Sequence, residues 1–148
     1  MRLRAPATLA ATAALLAGCG STPPPSLIQL RAQGTRICAT AGHRLGRITP
    51  PRSEAGGEAF LNRGLGVLRP ELKRLRQLRP PSEGADVYRA ALAALAAEVQ
   101  SLQGTLRALG RQQDPVIAFK TLQQHLGPLE KQADDAWQAL QMPACLQR

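Results

Sequence analysis

Apolar residues recur along most of this chain at alternating intervals of three and four positions. Residues 88–109 carry one stripe with spacings of 4, 3, 4, 3, 4 and 3, residues 119–140 carry a second, and residues 61–75 carry a shorter one. These intervals place apolar side chains on one face of an α-helix, which packs against other helices at a shallow angle. No segment alternates with period two for long enough to suggest a β-strand. The predicted core includes Leu95, Leu102 and Leu122.

Helix start and stop signals divide these stripes into four predicted helices, at about 27–46, 54–79, 83–110 and 115–141. Pro80-Pro81 stops the second helix, and Ser82 is a candidate cap for the third. Asp114-Pro115 combines an N-cap with a proline at the first helical position, which is typical of a helix start. The predicted fold is all-α: an antiparallel helical bundle of three long helices plus a shorter N-terminal helix.

Two prolines, Pro70 and Pro128, lie inside the apolar stripes. Proline removes a backbone hydrogen bond in a helix, so each is predicted to kink or divide its helix. Most kinks merely bend a helix around the core, but a kink near the middle of a bundle can open a pocket. The candidate lining consists of leucines close to the two prolines: Leu68, Leu72, Leu126 and Leu129.

The N-terminal segment combines a basic head, a short apolar run and the tetrapeptide Leu16-Ala17-Gly18-Cys19. A basic head, an apolar run and a small-residue cleavage site are typical of a secretory signal peptide. The apolar run is too short for a transmembrane helix, which needs about 20 residues. With a cysteine directly after the cleavage site, the segment resembles the lipobox of bacterial lipoproteins. The alternative is an ordinary signal peptide with a coincidental cysteine.

The lipobox resemblance implies lipidation of Cys19, export, and attachment to the cell membrane or the outer membrane on its extracytoplasmic side. It divides the chain into a cleaved signal peptide at 1–18, a lipidated cysteine with a proline-rich tether at 19–26, and a bundle domain at 27–148. Pro23 to Pro25 stiffen the tether into a spacer between membrane and domain. The 130 residues left after cleavage are enough for one domain with one core.

Positive charge is concentrated in one half of the mature chain. Residues 31–79 hold eleven Arg or Lys and three Glu, whereas residues 80–148 hold six basic and seven acidic residues. Export and scarce aromatic residues argue against nucleic acid as the partner. Anionic lipid headgroups or wall polymers are favoured, with an unidentified protein or a merely solvated surface as alternatives. The candidate anion-contact patch is Arg69, Lys73, Arg74, Arg76 and Arg79, of which the first, second and fourth share one helix face.

Two cysteines remain in the mature chain besides Cys19. An even pair in an oxidising compartment favours a disulfide between Cys38 and Cys145, and two free thiols are the alternative. An up-down-up-down bundle puts Cys145 near the start of the first helix, whereas Cys38 lies close to that helix's far end. Either the first helix is displaced, with the 47–57 loop climbing back along the bundle, or the disulfide is absent.

The mature chain resembles a group of small exported bacterial proteins with no assigned activity. The resemblance rests on a cysteine in a short first helix, on Leu78-Arg-Pro-Pro81, and on the closing Ala139-Leu-Gln-Met-Pro-Ala-Cys145. It supports pairing of Cys38 with Cys145. It carries no catalytic residues to this chain.

Side chains suited to catalysis or metal binding are scarce. His43 and His125 belong to different elements, and no Glu-x-x-His spacing accompanies them. The adjacent Asp134 and Asp135 diverge on a helix and are expected to face water. Motifs of hydrolases, metalloproteases and phosphate-binding loops are absent from the sequence.

We therefore expect no metal site, no cofactor and no enzymatic activity. The expected function is a non-enzymatic interaction or scaffold role in the cell envelope. The alternative is an extracytoplasmic binding module for an apolar ligand or an anionic envelope polymer.

Overall fold

Four α-helices make up most of residues 26–146, the part of the chain that the computed structural model describes. Their bounds are α1 Leu27–Leu45, α2 Gly57–Gln77, α3 Ala85–Gly110 and α4 Pro115–Ala139. Short 3-10 turns occupy Glu54–Gly56 and Pro143–Cys145, and no strand occurs within the described residues. The all-α prediction is confirmed, with every helix boundary within three residues of its predicted position. The predicted signal peptide, Cys19 and most of the tether lie outside the described residues.

Capping residues explain where three of the helices begin. Ser26 and Gln29 form a capping box at the start of α1, and the Asp114 carboxylate accepts a hydrogen bond from the Ile117 N–H at the start of α4. Ser82 does not cap α3 as predicted. Gly84 precedes that helix instead, with a left-handed φ of 86°.

The bundle is antiparallel, and consecutive helices pack on one another. The α3–α4 pair makes the most extensive contact, α2 packs on α3, and α1 packs on α2 and on the turn after α4. We define the lower end by the start of α1, the 78–84 connection and Leu140, since Leu27 and Leu140 both contact Gly84. The upper end holds the 46–56 loop and the turn between α3 and α4.

The core confirms most of the predicted apolar stripes. Leu95 is fully buried and Leu122 is buried, whereas Leu102 is only half-buried. The largest fully buried side chains are Trp137, Tyr88, Leu30, Leu65, Leu75, Leu95 and Met142. Within residues 26–146, the buried apolar side chains form one continuous core cluster to which all four helices contribute.

Neither Pro70 nor Pro128 divides its helix, because α2 and α4 continue past them. The carbonyls that lose a partner belong to Gly66 and Gln124, four residues earlier. Both of these residues are exposed, so water can donate a hydrogen bond to each carbonyl in place of the missing N–H. The two prolines are therefore tolerated without a break in the bundle.

The segment after α4 resolves the conflict between bundle topology and the disulfide. It runs along α1: the Leu140 carbonyl accepts a hydrogen bond from Arg31 Nε at 2.8 Å, and Met142 packs against Gly34. The segment thus reaches Cys38, which forms a disulfide with Cys145 at a Cα–Cα distance of 4.9 Å. The first helix is not displaced. The residues after α4 run upward along α1, and this brings Cys145 level with Cys38.

Candidate functional site

A groove between α2 and α3 gathers three members of the predicted anion-contact patch. Arg69, Lys73 and Arg76 lie along its α2 side, and the groove encloses about 530 Å³. Its remaining lining is apolar or amide-bearing: Leu72, Gln77, Ala96, Val99, Gln100 and Gln103. No acidic residue lines this groove among the described residues. We call it the basic groove.

The structure separates the other two patch residues from the basic groove. Arg74 faces α1, where it lines a small crevice with Arg44 and the buried Glu71. Arg79 is exposed in the connection that follows α2. The five residues predicted from sequence are therefore one three-residue site and two separate surface arginines.

The chemistry of the basic groove suits an anion with several oxygen atoms. Arginine presents planar N–H donors that match phosphate or carboxylate oxygens, lysine adds a compact positive charge, and glutamine amides add neutral donors. Neither Arg69, Lys73 nor Arg76 forms an ion pair with a described residue. All three side chains are exposed and available to a ligand.

The three basic side chains of the groove lie in the lower half of α2, whereas its α3 lining, from Ala96 to Gln103, lies about 17–27 Å above the start of α3 at 1.5 Å per residue. Arg76 is one residue from the end of α2, and Arg69 lies about 12 Å above that end at 1.5 Å per residue. The chain enters the bundle at the same end, because Ser26 caps α1 there. The three basic side chains and the entry point of the predicted tether therefore share the lower half of the molecule.

A second and larger cleft, of about 700 Å³, lies in the middle and upper part of the bundle. All four helices and the C-terminal segment contribute to its lining. Of the predicted pocket residues, Leu68 and Leu126 line it, whereas Leu72 lines the basic groove and Leu129 lines neither. Neither proline lines the cleft, so a proline kink does not account for it; Pro70 lines the small crevice beside α1 instead. The cleft opens because α2 and α4 pack mainly on α3 and not on each other.

The two histidines and the Asp134–Asp135 pair lie apart from the basic groove. His43 and His125 are exposed. Asp135 faces solvent in an ion pair with Lys131, but Asp134 is half-buried and lines the cleft, contrary to the expectation that both face water. Within residues 26–146, no three His, Cys, Asp or Glu side chains come together as a metal site would require.

Comparison with known proteins adds no relative: no family model, curated protein or solved structure matches the chain. None of the helices in residues 26–146 is long and apolar enough to cross a membrane.

Proposed function

We propose that this chain is an exported, lipid-anchored protein of the bacterial cell envelope, attached through Cys19. Its bundle has a non-enzymatic interaction role, in which the basic groove binds anionic lipid headgroups of the anchoring membrane. The observation that carries the proposal is the position of the groove's three basic side chains in the half of the bundle next to the end where the chain enters. An anchored bundle would hold this end closest to the bilayer.

The length of the tether supports this arrangement. Seven residues separate the start of the described chain from the signal peptide, from Cys19 to Pro25, and they span at most about 25 Å when fully extended. Arg76 lies at the lower end of α2, and Lys73 lies about one helical turn above it. Attraction to an anionic surface acts over roughly 10 Å at moderate ionic strength. A tether of this length therefore allows the three basic side chains to come within range of the headgroups.

Wall polymers have the same anionic chemistry, but the geometry favours headgroups. A polymer that extends away from the membrane could be bound equally well by any face of the bundle. Basic side chains in the lower half gain most from a partner that lies at the membrane surface itself, because juxtamembrane basic residues each contribute about 1 kcal/mol on anionic lipid.

The test is co-sedimentation of an anchor-free chain, beginning at Gly20, with vesicles of phosphatidylcholine and phosphatidylglycerol. Arg69→Gln, Lys73→Gln and Arg76→Gln together should weaken binding by about 3 kcal/mol, or roughly a hundredfold at low salt. Binding of the parent should fall as salt is raised.

The matched control removes the same number of positive charges elsewhere. Arg63, Arg107 and Arg111 are exposed and lie toward the upper end, so their replacement by glutamine should change vesicle binding little. Equal losses in both triple variants would reduce the effect to net charge and contradict the proposal. If the parent chain does not bind the vesicles but binds soluble polyphosphate, the partner of the groove is a wall polymer and not a headgroup.

A further inference from the structure

The cleft away from the basic groove combines an apolar wall with acidic side chains. Much of its apolar surface comes from α1, α2, α3 and the segment after η2: Leu45, Phe60, Leu61, Leu102 and Leu146. A volume of about 700 Å³ lies within the range of small-molecule sites, which is roughly 300–1,000 Å³. The cleft is therefore large enough for a ligand with an extended apolar body.

Two carboxylates on α4 face this cleft together. Glu130 and Asp134 are four residues apart, so they lie on the same side of the helix, with Glu130 exposed and Asp134 half-buried. Neither forms an ion pair with a described residue. Glu98, buried on α3, adds a third acidic side chain to the lining.

Among the described residues, no positive side chain lines the cleft beside Glu130 and Asp134. The described residues that line it include no Arg, Lys or His, although basic residues outnumber acidic ones in the whole sequence. Like charges four residues apart on a helix are mildly destabilising. A cationic group placed between them would remove that repulsion and gain charge-assisted hydrogen bonds.

We propose that the cleft binds an amphiphilic monocation, whose alkyl body occupies the leucine-lined space and whose ammonium group contacts Glu130 and Asp134. Apolar volume selects the body, and the two carboxylates select a cation over a neutral or anionic head. The site is separate from the basic groove, since the two cavities share no lining residue. It depends neither on lipidation nor on vesicle binding.

The experiment uses the full chain as purified, in nanodiscs of neutral phosphatidylcholine when it carries lipid and in buffer when it does not, so that the result does not depend on the anchor. Octylamine, octanol and octanoate carry the same chain with three different heads, and ligand binding to the folded state raises the melting temperature. Octylamine should raise it, octanol should do so only at higher concentration, and octanoate should have no effect.

The roles of Glu130 and Asp134 can be tested against the neighbouring Asp135 as a control. Glu130→Gln combined with Asp134→Asn should raise the octylamine concentration needed for half of the shift at least tenfold, and should leave the octanol response unchanged. Asp135→Asn removes a carboxylate from the adjacent position, but Asp135 faces solvent and forms an ion pair with Lys131. Its octylamine response should match the parent's within twofold.

Two glycines of α2 test the apolar part of the site. A side chain at Gly64 would enter open space in the cleft, whereas Gly66 also has open space but does not line the cleft. Gly64→Leu should abolish the octylamine shift, and Gly66→Leu should retain it. The proposal is overturned if octanoate equals octylamine, if Asp135→Asn acts like the Glu130 and Asp134 variant, or if Gly64→Leu binds normally.

Discussion

Reduction of the Cys38–Cys145 disulfide should lower the melting temperature of the protein by about 15 °C. The bond closes a loop with a sequence separation of 107 residues, and the chain-entropy relation gives about 4–5 kcal/mol for a loop of this length. In a domain of this size, each kcal/mol shifts the melting temperature by about 3–5 °C. The measurement is a thermal melt followed by circular dichroism, with and without reductant, alongside a thiol assay under denaturing conditions.

A variant with both cysteines replaced by alanine separates the bond from the reagent. It should melt near the reduced parent and should not respond to reductant. Reduction should also loosen the segment after α4. Without the covalent bond, the Arg31 hydrogen bond and the packing of Met142 are left to hold this terminal segment on α1, and both are weaker restraints. Two reactive thiols in freshly isolated protein, or a shift of less than about 3 °C, would contradict this account of the fold.

Trp137→Ala should destabilise the bundle by about 3–5 kcal/mol, because it removes the largest fully buried side chain. Trp137 packs edge-on against Tyr88 with ring centroids 6.0 Å apart, and its carbonyl accepts the Met142 N–H. The side chain therefore supports the α3–α4 interface, whereas the hydrogen bond to the turn belongs to the backbone and is retained in the alanine variant. Urea unfolding of the oxidised protein measures the loss.

Tyr88→Phe provides a graded comparison at the same interface. The Tyr88 hydroxyl donates a 2.8 Å hydrogen bond to the Leu75 carbonyl, and burial raises the pKa of Tyr88, so the phenol remains a donor at neutral pH. Phenylalanine keeps the ring, and the Leu75 carbonyl also accepts the Leu78 N–H, so the expected loss is about 1 kcal/mol. If Trp137→Ala cost no more than Tyr88→Phe, the aromatic pair would not be the centre of the core.

The helices were predictable because each buries one regular stripe, and the spacing of leucines reports that stripe directly. The start of α3 was less predictable, since Gly84 is selected by its left-handed backbone and by its contact with Leu27 and Leu140. The path after α4 has no periodic signal. It depends on Gly34, where any side chain would collide with Met142, and that contact joins residues far apart in the sequence.

The two cavities were also only partly predictable from the sequence. Spacing alone places Arg69, Lys73 and Arg76 on one face of α2, so half of the basic groove was accessible from sequence. Its α3 side and the acidic cleft depend on how neighbouring helices are rotated and on how far α2 lies from α4. Heptad spacing does not determine either quantity. Asp134 illustrates this, because its exposed neighbour Asp135 has the same residue type and a different environment.

The proposed anchoring at Cys19 is tested most directly by the intact mass of the protein extracted from membranes with detergent. The account predicts a chain that begins at Cys19 and carries the added mass of acyl groups. The matched Cys19→Ala variant should lack that added mass. A soluble, unmodified product from the parent gene would contradict the anchor and, with it, the proposed role of the basic groove at the membrane.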